Sequence, residues 1–135
     1  MLDNKKVLVS KTIAAPADTN PWGDIFGGWI LSLMDIAAAN IASRLAKGII
    51  ATKAITEVTF DVPIYVGDEV SVYVEIDKIG NTSTTMNVYV TTRRKGTHKE
   101  IDAVKGTFIM VALNESRRPR PIRENWPEDY GGSLI

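Results

Sequence analysis

A chain of 135 residues has the length of one domain, and a composition of 44% hydrophobic and 24% charged residues excludes a disordered or collagen-like chain. Sixteen basic side chains balance sixteen acidic ones, so no general attraction to nucleic acid or to an anionic membrane is expected. With no cysteine, thiolate catalysis, disulfides and cysteine-ligated zinc are excluded, and the lone His98 excludes a histidine-rich metal site within one chain.

Asp3 stands before the basic pair Lys5 and Lys6, and Lys11 interrupts the apolar run begun by Val7-Leu8-Val9. That pattern is not a secretion signal, and a cytoplasmic location is the expectation. Val7 to Ala14 reads as a short strand ended by Pro16, followed by the turn-rich loop Asp18 to Asp24. Gly27-Gly28 opens a helix that runs to about Lys47, where Lys47-Gly48 supplies a basic last turn and a C-cap. The period then changes to two. Strands are expected over Ile50 to Phe60, around Val70 to Asp77, around Met86 to Arg93, and over Ile101 to Leu113. Gly67-Asp68, Gly80-Asn81 and the loop Lys95 to His98 mark the turns. From 114 to 135 the chain reads as an irregular tail of a single domain. The predicted class is α+β: one helix packed on an antiparallel sheet whose consecutive strands pair.

The helix carries the most information. Between Ile25 and Ser43 its only charge is Asp35, at the middle. A central aspartate costs about 3 kcal/mol in a membrane span, so the segment reads as a core helix. Trp29, Ile30, Leu33, Ile36, Ala37 and Ile41 occupy most of its circumference, which predicts burial on nearly all sides. Either the sheet wraps tightly round the helix or a second subunit covers its outer side; both are expected, and Ala37, Ala38 and Ala39 permit close helix approach. Asp35 lies among Met34, Ile36, Ala38 and Ala39. A carboxylate so placed loses hydration, and a general base or nucleophile is a reason to keep one there. Gly27 and Gly28 are either a flexible helix start or a close-approach point where free N–H groups and the helix dipole make an anion or oxyanion site. Eight residues of helix separate Gly27 from Asp35, about 12 Å at 1.5 Å per residue. One carbonyl carbon cannot sit beside both, so a shared reaction requires Asp35 of one subunit and Gly27/Gly28 of another. Asn20 and Asp24 sit in the loop before the helix; Asp24 suits the N-cap region and could also place a water or a substrate amide. Arg93-Arg94-Lys95 and Arg117, Arg118, Arg120 and Arg123 form two basic clusters suited to an anionic nucleotide tail. No Gly-x-Ser-x-Gly motif supports a serine triad.

The segments Asp18-Thr19-Asn20, Gly23 to Ile30 and Leu33-Met34-Asp35 resemble the signature of hotdog-fold acyl-CoA thioesterases, of the YciA type. The turn Pro63 to Asp68, the turn Lys78 to Ser83 and the segment Arg118 to Asn125 extend the resemblance over most of the chain. It implies a five- or six-stranded sheet wrapped round a central helix, and a double-hotdog dimer assembled as a trimer of dimers. It implies hydrolysis of acyl-CoA to free CoA and a carboxylic acid, with no metal or other cofactor. By position it makes Asp35 the catalytic carboxylate, Gly27 and Gly28 the oxyanion region and Asp24 a further activity residue. Asn20, Ser83, Thr84, Arg93, Arg94, Arg118 and Arg120 then become substrate or CoA contacts. Some relatives carry Ser or Thr four residues after the carboxylate; here that position is Ala39. The rival reading is a non-catalytic acyl-CoA-binding or sensing module of the same fold, and a bare binding site has no use for a lone carboxylate. A hotdog dehydratase would use a histidine, and His98 lies in a polar hairpin loop.

Overall fold

The computed structural model describes residues 5–131; Asp3 and Gly132 to Ile135 lie outside them. Strand β1 (Val7–Ile13) leads through a 3-10 turn (Pro16–Asp18) and a loop into helix α1 (Gly27–Ala46). Strands β2 (Ile50–Phe60), β3 (Glu69–Ile79), β4 (Ser83–Arg93) and β5 (Ile101–Ala112) follow. All five form one antiparallel sheet in the order β1-β3-β4-β5-β2. The α+β class and the strand positions agree with the sequence reading. The pairing of β2 with β3 does not occur. The segment after β2 turns back on β5, where the N–H groups of Asp61 and Val62 donate to the Ala103 carbonyl at 2.8 and 3.2 Å. β2 therefore becomes an edge strand.

The buried side chains of α1 recur at helical spacing: Ile30, Met34, Ala37, Ala38, Ile41, Ala42, Leu45 and Ala46. They meet the alternating inward residues of the sheet, Val70, Val72, Val74 and Ile76 on β3, Met86, Val88 and Val90 on β4, and Phe108 and Met110 on β5. The helix touches every strand. The opposite stripe, Gly28, Ser32, Ile36 and Asn40, is exposed, and Ile36 keeps 66% of its surface. Burial on nearly all sides is thus not achieved by one chain, because its sheet covers a single helical face.

The end of α1 also departs from expectation. The left-handed residue is Lys47, at φ 53°, and its N–H reaches the Ser43 carbonyl. Gly48 has a different task. A Cβ there would stand 2.8 Å from Arg120 Nη2, so the glycine leaves room for a guanidinium. That group donates to the carbonyls of Ala46 (2.8 Å), Leu113 (3.1 Å) and Pro121 (3.0 Å). Trp126 Nε1 donates to the Leu45 carbonyl at 2.6 Å, and Asn125 Nδ2 to that of Lys47 at 3.3 Å. The segment after β5 forms no helix or named strand among the described residues, yet its side chains satisfy the free carbonyls of the helix C-terminus.

Candidate active site

The approach to α1 is built by short polar contacts. Asn20 Oδ1 accepts from the N–H groups of Trp22 (3.0 Å) and Asp24 (3.1 Å), which folds the loop on itself. Gly23, at φ 92°, turns the chain within it. The Phe26 N–H reaches the Asp18 carbonyl at 2.9 Å, and the Ile25 N–H reaches that of Ile64 at 2.9 Å. Phe26 is left extended as the N-cap. The N–H groups of Trp29 and Ile30 turn back to the Phe26 carbonyl. Those of Gly27 and Gly28 have no acceptor among the described residues, as expected of the first helical positions. The rings of Phe60 and Phe26 stand beside them, 3.6 and 3.1 Å from where Cβ atoms on Gly27 and Gly28 would lie. The helix N-terminus thus offers two donors in an apolar rim.

Asp35 lies two turns along the same helix, half-buried, facing β2. Its Oδ1 accepts a 2.7 Å hydrogen bond from Thr52 Oγ1. The carboxylate thus has a hydroxyl partner from the neighbouring strand, not from its own helix. Sequence reasoning missed Thr52, because the contact spans seventeen positions and a threonine in a strand carries no signal of its own. Within one chain Asp35 and the Gly27/Gly28 donors belong to one helix and are not brought together.

The remaining sequence candidates divide. Asp24 is half-buried, and its backbone bridges Tyr65. Ser83 is half-buried, whereas Thr84 is buried and its hydroxyl donates to the Lys78 carbonyl at 3.0 Å, closing the β3–β4 hairpin. Arg93 pairs with Glu69 at 3.1 Å. Arg94 pairs with the buried Asp68, donates to the Pro63 carbonyl at 3.0 Å and stacks on the Tyr65 ring. Arg118 is exposed, and its backbone pairs with Asn114. The Arg120 side chain is 5% exposed, and its donors go to carbonyls that include the last of α1. Clefts open elsewhere, such as one of about 570 Å³ among Glu57, Thr59, Asn87, Tyr89, Lys105, Gly106 and Thr107, but they do not reach Asp35.

A five-stranded antiparallel sheet around one core helix, with a lone carboxylate and free N–H groups on that helix, defines a hotdog-fold thioesterase. Residues 23–97 match the thioesterase superfamily model, and the chain belongs to that family. It is similar to the acyl-CoA thioester hydrolase YciA of Salmonella typhimurium, 40% identical over 118 residues, covering 85% of this chain and 89% of that protein. Among solved structures, it superposes on an aspartate-to-alanine mutant of HI0827, a hexameric broad-specificity acyl-coenzyme A thioesterase. The TM-score is 0.85, the identity 38%, and 90% of each chain is covered. The hexameric thioesterase y2039 of Yersinia pestis gives a TM-score of 0.81 at 38% identity, covering 87% of this chain and 95% of that one.

Proposed function

We propose that this protein hydrolyses acyl-CoA thioesters to free CoA and a carboxylic acid, at sites formed between two subunits. The observation that carries the reading is Asp35. It is the only charged side chain between Gly27 and Ser43, and it is held by the Thr52 hydroxyl on the half-open face of a core helix. The acyl-CoA thioester hydrolase and thioesterase activities of its relatives support the same reaction.

In this reading the thioester carbonyl rests at the Gly27 and Gly28 N–H groups of one subunit. Asp35 of the other takes a proton from a water whose oxygen attacks the carbonyl carbon, or attacks that carbon itself and expels the thiolate to give an anhydride that water then opens. The C–S bond breaks, the thiolate leaves and takes up the proton, and the acid is released. Donors at the helix N-terminus hold the charge that develops on the carbonyl oxygen, where one lost donor costs about 3 kcal/mol. A thioester is already activated, so neither a metal nor a redox group is required. The exposed stripe of α1 and the free edge of β2 are where the second copy docks, in a trimer of dimers that would match the hexameric relatives. Exposed Ile36, Ile55 and Phe60 supply apolar cover for that contact. Among the basic candidates, Arg118 is exposed and could meet a CoA phosphate.

Thiol release from acyl-CoAs of two to sixteen carbons (about that range) tests the reading with the wild type and Asp35→Ala side by side. Turnover by the wild type, lost in the variant while CoA still binds, supports it. Binding without turnover by the wild type overturns it in favour of a sensing module.

A further inference from the structure

Sequence resemblance places Arg94 near coenzyme A, but its neighbours give it another task. Asp68 is 2% exposed, at the end of the 63–68 turn. Its Oδ2 accepts from the Tyr65 N–H (3.0 Å), from Thr92 Oγ1 (2.9 Å) and from Arg94 Nη1. Arg94 Nη2 donates to the Pro63 carbonyl at 3.0 Å, and the guanidinium lies 4.4 Å from the centre of the Tyr65 ring. Both ends of the turn are therefore fixed, by Thr92 at the end of β4 and by Arg94 just after it. The turn in turn holds the approach to α1: Ile64 accepts the Ile25 N–H at 2.9 Å, and Tyr65 bridges Asp24. Two and three residues beyond Ile25 stand the Gly27 and Gly28 N–H groups. The chain of contacts from Arg94 to those donors is continuous.

We propose that Asp68 and Arg94 are positioning residues that hold the loop before α1, and so aim the Gly27 and Gly28 N–H groups, and that Arg94 is not a ligand of the coenzyme A phosphates. The kinetic side of this inference rests on the hydrolase reading; its geometric side does not. The charge of Arg94 is paired with a buried carboxylate and both of its Nη atoms donate to the turn, so the plane of the guanidinium is set by the turn. A misplacement of about 1 Å in a donor set far from the substitution costs up to about a hundredfold in rate.

The test compares the wild type with Asp68→Asn, Arg94→Met and Arg94→Lys. Asp68→Asn keeps the shape of the side chain. Arg94→Lys keeps the charge and serves where Arg94→Met fails to fold. The readouts are kcat, KM for an acyl-CoA, inhibition by free CoA, and backbone amide exchange over residues 20–28. The expected result is a fall in kcat of about ten- to a hundredfold, with KM and CoA inhibition within about twofold. Exchange over 20–28 should quicken while the sheet stays protected. The paired variant Asp68→Asn/Arg94→Met should lose no more than the worse single one, since both act on one turn. Weakened CoA inhibition with kcat preserved would overturn the proposal and return Arg94 to the phosphates. Unchanged exchange over 20–28 would overturn it too, whether or not the protein turns over thioesters. A wild type without turnover sinks the hydrolase reading instead, and the exchange experiment still decides the positioning role.

Discussion

A single hydroxyl sets the state of the candidate base. Thr52 approaches Asp35 Oδ1 at 2.7 Å and donates to it, leaving Oδ2 as the oxygen available to water or to a carbonyl carbon. Hydrogen bonds to a charged acceptor contribute about 1.5–3 kcal/mol, and their loss lets the carboxylate rotate. Thr52→Val, which keeps the branched shape, should lower kcat by about ten- to a hundredfold. KM should stay close to wild type, and Thr52→Ser should recover most of the rate. Steady-state kinetics on one acyl-CoA checks this; a Thr52→Val enzyme of normal kcat would show that the contact only packs. Asp35, Gly27 and Gly28 were legible in the sequence because each breaks a local rule: a charge inside an apolar helix, and two glycines where helix propensity is poor. Thr52 and Asp68 break none. A threonine in a strand and an aspartate after a turn glycine are ordinary, and only the folded contacts distinguish them.

At the scale of an element, the two ends of α1 are finished by different parts of the chain. Its C-terminus is closed by Arg120, Asn125 and Trp126 from the tail. Arg120→Met would take the side-chain donor from the Ala46 and Leu113 carbonyls, while Pro121 keeps the Glu124 N–H, at about 1–3 kcal/mol for each buried group left unsatisfied. We expect an unfolding free energy lower by about 3 kcal/mol, read from urea midpoints, with KM for acyl-CoA unchanged. A raised KM with normal stability would restore Arg120 to the substrate. A second element-scale feature lies in β2, where the register with β5 shifts between Thr56 and Thr59 and Glu57 sits at φ 53°. That left-handed conformation costs an ordinary L-residue about 1–2 kcal/mol, of which glycine's own backbone entropy offsets part. Glu57→Gly should therefore raise the urea midpoint, by about 1 kcal/mol or less; a fall would mean that the Glu57 side chain stabilises the bulge. The strand positions were legible from period-two alternation. The bulge and the edge position of β2 were not, because they follow from pairing with β5, which lies more than forty positions away in sequence.

At the scale of the molecule, the geometry of one helix decides how many chains make a site. Gly27 and Asp35 are eight residues apart on α1, about 12 Å, and no bend brings them together. A two-fold pair of helices running antiparallel would set the Asp35 of each beside the N-terminus of the other. The exposed stripe Gly28, Ser32, Ile36 and Asn40 is the face such a pair would share. The arrangement can be tested by complementation. Asp35→Ala removes the base. Gly27→Pro removes one donor at the first helical position, where proline is favoured and the extended Phe26 before it already suits a proline. A Cβ at that position meets the Phe60 ring only at 3.6 Å, an ordinary contact. Each variant alone should lose about a hundredfold or more of kcat. Unfolded and refolded together in equal amounts, half the dimers would be mixed. In each mixed dimer one site combines Gly27 of the first chain with Asp35 of the second and is intact, while the other carries both lesions. Activity should therefore recover to about a quarter of wild type. If each subunit used its own Gly27 and Asp35, no mixed dimer would hold an intact site and nothing would recover. The recovered rate thus separates a shared site from a private one, independently of acyl chain length and of how the dimers assemble further.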